Sequence, residues 1–206
     1  MFIGKWNKSV ILTYAGMLVS LFGVFLCIAV PDSIRYAIAC LMVAGVCDLF
    51  DGAIARKCKR TEEEKLFGIQ LDSLVDVVDF IALPVAIFVR MGLTAWYQLL
   101  ILGAFAVCGI ARLAYFNITV ENSDAPVPHY QGLPVTYSAL IFPVLYLPFL
   151  CIDALGGVFP YVYPLLILAV AALNILNVKI KKPRGVAYIF FALLAIVMLV
   201  LYLAVL

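Results

Sequence analysis

The sequence predicts an all-α protein, a polytopic membrane bundle of about seven transmembrane helices that forms a single domain over residues 1–206. Of its 206 residues, 67% are hydrophobic and only 13% are charged, whereas soluble domains average about 25% charged residues. The apolar residues also form stretches near the roughly 20 residues that a helix needs to cross a bilayer. These stretches run over about 9–29, 34–55, 68–89, 95–116, 133–151, 159–178 and 186–206.

Three of the stretches need a separate justification. The first is longer than the apolar core of a signal peptide, and no small-x-small cleavage site follows it, so we predict a retained helix. The fifth is interrupted by Pro134, Pro143 and Pro148. We keep it as a helix because membrane helices tolerate proline where their neighbours cover the freed carbonyl groups. The seventh, 186–206, is a C-terminal extension of the domain.

The lysines and arginines predict the orientation of the bundle. With the N-terminus in the cytoplasm, only Arg35 and Arg90 lie outside, and loops rich in lysine and arginine stay inside. The sequence therefore predicts a multi-pass protein of the cell membrane whose chemistry takes place at the cytoplasmic side. The basic residues on the inside are Lys5, Lys8, Arg56, Lys57, Lys59, Arg60, Lys65, Arg112, Lys179, Lys181, Lys182 and Arg184.

The first cytoplasmic connection, 56–67, is short and highly charged. Its glutamate-to-lysine spacings fit a helical extension into water. For the segment from Glu62 to Lys65 we expect a solvated hairpin instead.

Five aspartates lie in or beside these apolar stretches. A carboxylate inside a bilayer costs roughly 2.5–3.5 kcal/mol, so it is tolerated where it faces another carboxylate, a cation or water. Spacings of three and four residues place each pair on one face of its helix. Two acidic pairs on two adjacent helices therefore form a cage for a divalent cation. The five residues are Asp48, Asp51, Asp72, Asp76 and Asp79.

The residue types around the cage favour a site for phosphate chemistry. Oxygen-only acidic ligands suit Mg²⁺, Mn²⁺ or Ca²⁺ better than zinc, and a pair of ions supports in-line displacement at phosphorus. Gly52, Ala55 and Gly68 leave room beside the ions, and Arg56 can neutralise phosphate oxygens. A cation transporter is the alternative, but it predicts acidic groups along the whole membrane depth, whereas these cluster at one end.

The segment from Asp48 to Asp76 resembles the signature of the CDP-alcohol phosphotransferases. That signature is D-x-x-D-G-x-x-A-R, a spacer, and G-x-x-x-D-x-x-x-D, and all its residues are present here. The spacer has eleven residues, more than is usual in the family. Many members also carry an asparagine near the start of the first helix, and the stretch 12–16 has none.

The resemblance implies a role for each residue of the signature. Asp48, Asp51 and Asp72 would hold a first Mg²⁺ or Mn²⁺, and Asp51, Asp72 and Asp76 a second. Asp76 would also be the catalytic residue, as general base on the acceptor hydroxyl. The pocket for the CDP-lipid would be formed by Gly52, Ala55, Arg56, Gly68 and Asp72.

The acceptor is encoded elsewhere, in the stretches 108–117 and 130–139, which are similar to those of the phosphatidylserine synthases in this family. Arg112 could clamp the carboxylate of serine, and we favour this role over that of a positive-inside anchor alone. Thr136 and Ser138 could contact the acceptor or bond to their own helix. Asn117 would add a polar group, and Asp79 would hold the ammonium or tune the site.

The predicted function is transfer of the phosphatidyl group from CDP-diacylglycerol to the hydroxyl of L-serine, which gives phosphatidylserine and CMP in phospholipid biosynthesis. The expected partners are CDP-diacylglycerol, L-serine, membrane lipids and a second copy of the chain, with no nucleic acid. Two alternatives stay open. One keeps the chemistry and takes glycerol 3-phosphate or an inositol phosphate as acceptor, and the other is the cation transporter.

Overall fold

The computed structural model describes residues 4–5, 7–121, 129–181 and 186–205. The remaining parts of the predicted connections, including 122–128 and 182–185, lie outside the described residues. Within the described part the chain forms eight α-helices and one antiparallel pair of short strands. The helices are α1 (Ile11–Ala29), α2 (Ile34–Lys57), α3 (Glu62–Val77), α4 (Leu83–Arg90), α5 (Trp96–Glu121), α6 (Ser138–Cys151), α7 (Phe159–Ile175) and α8 (Val186–Val200), and the strands are β1 (His129–Gln131) and β2 (Lys179–Lys181).

The predicted class, an all-α membrane helix bundle, is confirmed. Among the described residues, three helical segments are long and apolar enough to cross a membrane, namely Lys8–Ala29, Ile34–Lys57 and Trp96–Ile118. Three shorter apolar helices accompany them: Val135–Cys151, Phe159–Ile175 and Phe190–Ala204. The third predicted stretch corresponds to α3 and α4, which a π-helical turn joins at Val78–Ala82.

Helix α2 lies at the centre of the bundle. It packs along α1 on one side and contacts α6 and α8 on another, while α5 pairs with α7. An aromatic cluster fills the middle, with the rings of Phe88 and Phe142 4.8 Å apart and edge to face. The hydroxyls of Tyr163 and Tyr202 donate to the carbonyls of Phe142 and Pro143, at 3.0 and 2.8 Å. The proline-containing fifth stretch is a helix from Ser138 to Cys151, as predicted for most of its length, and tyrosines of neighbouring helical segments bond two of its carbonyls.

The hairpin expected between Glu62 and Lys65 was wrong, because these residues form the first turn of α3. Thr61 caps the helix: its hydroxyl accepts from the amide of Glu64 (3.2 Å), and the Glu64 carboxylate accepts from the Thr61 amide (2.8 Å). This reciprocal capping box satisfies two otherwise unpaired donors. The hydrogen bond from the Thr61 amide also lowers the pKa of Glu64. Helix α3 therefore extends beyond the apolar stretch.

The π-helical turn between α3 and α4 has a clear cause in Pro84. A proline lacks the amide hydrogen that would bond the carbonyl four residues earlier, here that of Phe80. The Ser138 hydroxyl, on α6, donates to the Phe80 carbonyl instead, at 3.3 Å. The turn begins two residues after Asp76 and contains Asp79, so it changes the direction in which the end of the acidic face points.

Candidate metal and phosphate site

Helices α2 and α3 bring three of the predicted carboxylates together. One oxygen each of Asp48, Asp72 and Asp76 lies within 4.8 Å of the other two. The side chains come from the last turns of α2 and from the inner part of α3, so residues 24 or more positions apart in sequence meet at one end of the bundle. Asp76 is the most buried of the three, with 8% of its surface exposed.

Asp51 lies beside this group rather than within it. It is 7% exposed, and its carboxyl group contacts that of Asp72. The hydroxyl of Thr13 on α1 donates to Asp51 Oδ2 at 2.8 Å. The first helix, which lacks the asparagine of many relatives, thus reaches the site through a threonine that the sequence analysis did not single out.

The donor set fits hard divalent cations. It consists of carboxylate oxygens, which are the ligands that Mg²⁺, Mn²⁺ and Ca²⁺ prefer. Neither of the two ion pairs found among the described residues involves these aspartates. Arg112 is the cation whose charge acts on Asp48 and Asp76. Four carboxylates, two buried and two half-buried, share one space with the guanidinium groups of Arg56 and Arg112, which leaves an excess of negative charge that a divalent cation would offset.

Two cavities open from the aspartates. The first, called here the donor cavity, has a volume of about 230 Å³ and includes the predicted Gly52, Ala55, Arg56, Gly68 and Asp72 in its lining. The second, the aspartate cavity, has about 330 Å³ and combines Asp48, Asp51, Asp72 and Asp76 with Arg112, Asn117 and Thr136. The donor cavity thus contains all five predicted CDP-lipid residues. Three of them, Gly52, Arg56 and Asp72, also line the aspartate cavity, which adds most of the predicted acceptor residues.

The donor cavity also contains a residue that the sequence analysis missed. A side chain at Gly52 would lie 3.5 Å from Arg56 Nη1, and one at Gly68 would lie 3.7 Å from Arg60 Nη1. The guanidinium group of Arg56 thus lies next to Gly52, and that of Arg60 lies next to Gly68. Arg60 Nε is buried without a hydrogen-bond partner among the described residues. Arg60 belongs to the spacer between the two halves of the signature, where no motif marks it.

The predicted acceptor residues have different surroundings. Arg112 is 6% exposed, and its guanidinium stacks on the rings of Phe116 and Tyr130 at 5.0 and 5.9 Å. Asn117 accepts a hydrogen bond from Ser73 at 2.9 Å. Thr136 lines the aspartate cavity.

Ser138 and Asp79 lie outside the lining of the aspartate cavity. The Ser138 hydroxyl donates to the carbonyl of Phe80. Its partner therefore lies in the π-helical turn and not in α6, the helix to which Ser138 belongs. Asp79 is buried on the α1 side of the carboxylates, where a side chain at Gly16 would lie 3.3 Å from Asp79 Oδ2. At this position Asp79 fits a role in tuning the site better than a role in binding the acceptor.

Comparison with known proteins identifies a matching family and several relatives. The family model described as CDP-alcohol phosphatidyltransferase matches residues 6–206. The CDP-diacylglycerol–serine O-phosphatidyltransferase of Saccharomyces cerevisiae is 38% identical over 112 residues, which cover 51% of this chain and 40% of the yeast protein. The enzyme of the same name from Helicobacter pylori strain J99 is 32% identical over 121 residues, 53% of this chain and 46% of that protein.

An archaeal protein gives a similar match. The archaetidylserine synthase of Methanothermobacter thermautotrophicus is 29% identical over 121 residues, 58% of this chain and 50% of that protein. The matches thus span half or less of the length of these relatives. No solved structure matches significantly.

Proposed function

The chain belongs to the CDP-alcohol phosphatidyltransferase family, and from that premise we propose that it transfers the phosphatidyl group of CDP-diacylglycerol to the hydroxyl of L-serine. The products are phosphatidylserine and CMP. The observation that carries the proposal is the aspartate cavity, where four carboxylates and one buried arginine line a single space. The relatives that are named for serine transfer support the choice of acceptor.

The metal ligands in this proposal are Asp48, Asp51, Asp72 and Asp76, holding two ions of Mg²⁺ or Mn²⁺, with Ca²⁺ as a further fit to the same oxygens. When bound, the ions would polarise the pyrophosphate of the donor and stabilise the departing CMP. Thr13 fixes one carboxylate oxygen of Asp51, and such support commonly strengthens metal affinity by 10- to 100-fold.

Asp76 is the proposed general base. It takes the proton of the serine hydroxyl while the serine oxygen forms a bond to the phosphorus that carries diacylglycerol. The bond from that phosphorus to the bridging oxygen breaks, and the oxygen leaves with CMP. A carboxylate close to cations is a weak base, so Asp76 works through its position as well as its basicity.

The donor is proposed to bind through the glycines and arginines of the donor cavity. Gly52, Ala55 and Gly68 let the CDP group approach the backbone, while Arg56 and Arg60 provide guanidinium groups for phosphate oxygens.

Arg60→Ala is expected to raise the KM for CDP-diacylglycerol by about 10- to 100-fold, the loss of one charge-assisted hydrogen bond, and to leave the KM for serine nearly unchanged. Lys59→Ala is the matched control, since Lys59 is exposed and its contact to Asn7 uses the backbone carbonyl. Steady-state kinetics of CMP release measure both constants. Equal effects of the two substitutions on the KM for CDP-diacylglycerol would show that Arg60 does not bind the donor.

Arg112→Ala is expected to raise the KM for serine by about 100-fold, far more than the KM for CDP-diacylglycerol. The reason is that the guanidinium would hold the carboxylate of the acceptor in two parallel hydrogen bonds. Arg112→Lys is the control, because it keeps the charge and loses the planar fork, and an intermediate KM is expected. A similar increase in both KM values would assign Arg112 to the structure of the site instead.

The location of the site is part of the proposal. Helix α2 ends in Arg56 and Lys57 at the same end of the bundle as the aspartates, and the positive-inside rule then turns this end to the cytoplasm of a cell membrane. The single-domain organisation and the second copy of the chain stay predictions.

CMP release by the purified protein in detergent tests the function. The assay contains CDP-diacylglycerol, Mg²⁺ or Mn²⁺, and one acceptor at a time: L-serine, glycerol 3-phosphate or an inositol phosphate. Release that depends on L-serine is expected. Release with a phosphorylated acceptor alone would keep the chemistry and change the acceptor, whereas no release by folded protein would favour the transporter.

A further inference from the structure

A second polar cavity lies behind Arg112. It has a volume of about 280 Å³ and lies between the polar end of α5, strand β1 and the end of α7. We call it the rear pocket and define it by Arg112, Gln131 and Asn174, whose polar groups are its inner lining, whereas Tyr115 and Asn177 border it at exposed positions. Arg112 lines the aspartate cavity as well, so it forms the boundary between the two spaces.

Three buried polar atoms around the rear pocket have no hydrogen-bond partner among the described residues. They are Arg112 Nε, Gln131 Oε1 and Asn174 Oδ1. Arg112 is 6% exposed and Asn174 is 3% exposed. An unpaired buried polar atom destabilises a fold. These atoms belong to residues of three separate elements that line one cavity, and this arrangement indicates a ligand that supplies the missing partners.

The fold holds these elements together through backbone contacts. The amides of Gly132 and Leu133 donate to the carbonyls of Val178 and Leu173, at 3.0 and 2.9 Å. Gly132 has a φ of +71°, which favours glycine, and a side chain there would collide with the carbonyl of Asn174. The end of β1 is therefore held against α7, and the rear pocket is a built feature of the fold.

The chemistry of the three unpaired groups matches an amino acid. A guanidinium N–H donates to a carboxylate, and two amide oxygens accept from an ammonium group. A phosphorylated acceptor, which carries more negative charge and no ammonium, would find one cation and two oxygen acceptors here. The rear pocket thus distinguishes a zwitterion from a phosphate ester.

We propose that the rear pocket binds the amino-acid end of the acceptor, with the ammonium on Asn174 and Gln131 and the carboxylate on Arg112. This inference rests on the proposed function and adds two residues that determine acceptor specificity. The proposal requires that an acceptor held beside Arg112 turns its hydroxymethyl group towards the aspartate cavity, which Arg112 also lines.

Asn174→Leu tests the proposal, because leucine keeps the approximate size of the side chain and removes the amide. The KM for L-serine should rise about tenfold or more, while the KM for CDP-diacylglycerol stays within about twofold. The preference for L-serine over 3-hydroxypropanoate, which lacks the ammonium group, should fall by a similar factor. The thermal unfolding temperature should stay equal or rise, since a buried unpaired amide is removed.

Two further variants complete the test. Asn177→Leu makes the same chemical change at an exposed position on the rim, and its KM for L-serine should stay within about twofold of the wild-type value. Gln131→Met removes the second amide oxygen and should lower the preference for L-serine over 3-hydroxypropanoate in the same way as Asn174→Leu.

The outcomes separate this inference from the proposed function. Wild-type protein that releases CMP with L-serine, together with an unchanged preference in both amide variants, would overturn the rear pocket and leave the function intact. Equal increases in both KM values with a lower unfolding temperature would show a purely structural role. Wild-type protein without serine-dependent release would overturn the proposed function itself.

Discussion

Asp76→Asn is expected to lower kcat by about 10³-fold or more and to leave the binding of CDP-diacylglycerol nearly unchanged. General-base catalysis alone contributes about 10²- to 10⁴-fold, and the buried Asp76 lies in the same group of oxygens as Asp48 and Asp72. An amide at this position cannot accept the proton of the acceptor hydroxyl. Single-turnover CMP release measures the chemical step, and direct titration with CDP-diacylglycerol measures donor binding.

Asp79→Asn is the control for this substitution. Asp79 is also a buried carboxylic acid, three residues further on, but it does not line the aspartate cavity. Its loss should therefore reduce turnover much less than the loss of Asp76. If Asp76→Asn kept turnover close to that of the wild type, its role as general base would be excluded.

Removal of divalent metal is expected to abolish CMP release, and Mg²⁺ or Mn²⁺ should restore it. Four carboxylates line one cavity in which Arg112 is the buried cation, so bound metal ions should also stabilise the fold. At a metal concentration 100 times the dissociation constant, this stabilisation is about 2.7 kcal/mol. Thermal unfolding with and without Mg²⁺ measures it independently of activity.

Asp72→Asn is the matched variant for the metal experiment. Asp72 contacts Asp51 and belongs to the three-residue group, so its substitution should remove most of the metal-dependent rise in unfolding temperature. An unfolding temperature of the wild type that does not respond to Mg²⁺ or Mn²⁺, together with CMP release in the presence of a chelator, would contradict the metal site.

The acidic site could be predicted from the sequence because its information is local. Aspartates three or four residues apart share a helix face, and one short connection brings the two faces together. The placement of Asp48, Asp72 and Asp76 within 4.8 Å of one another follows from these two facts. The seven apolar stretches could be recognised for the same reason, because the length and composition of a stretch decide by themselves whether it can cross a bilayer.

The parts that could not be predicted depend on contacts between distant segments. Thr13 reaches Asp51 across 38 residues, and Asn174 lines the same cavity as Arg112 because α5 packs against α7. No spacing rule connects such pairs. The hairpin predicted at Glu62 was wrong for a different reason. The capping box of Thr61 and Glu64 is visible in the sequence, and it favours the start of a helix over a hairpin.

The origin of the oxygen in the new phosphodiester tests the central claim most directly. The purified protein would be given CDP-diacylglycerol, Mg²⁺ and L-serine labelled with ¹⁸O in its hydroxyl group, and both products would be analysed by mass spectrometry. We expect ¹⁸O in phosphatidylserine, none in CMP, and one CMP for each lipid formed. Release of CMP with phosphatidic acid as the lipid product, or labelled serine left unconsumed, would contradict transfer to the serine hydroxyl.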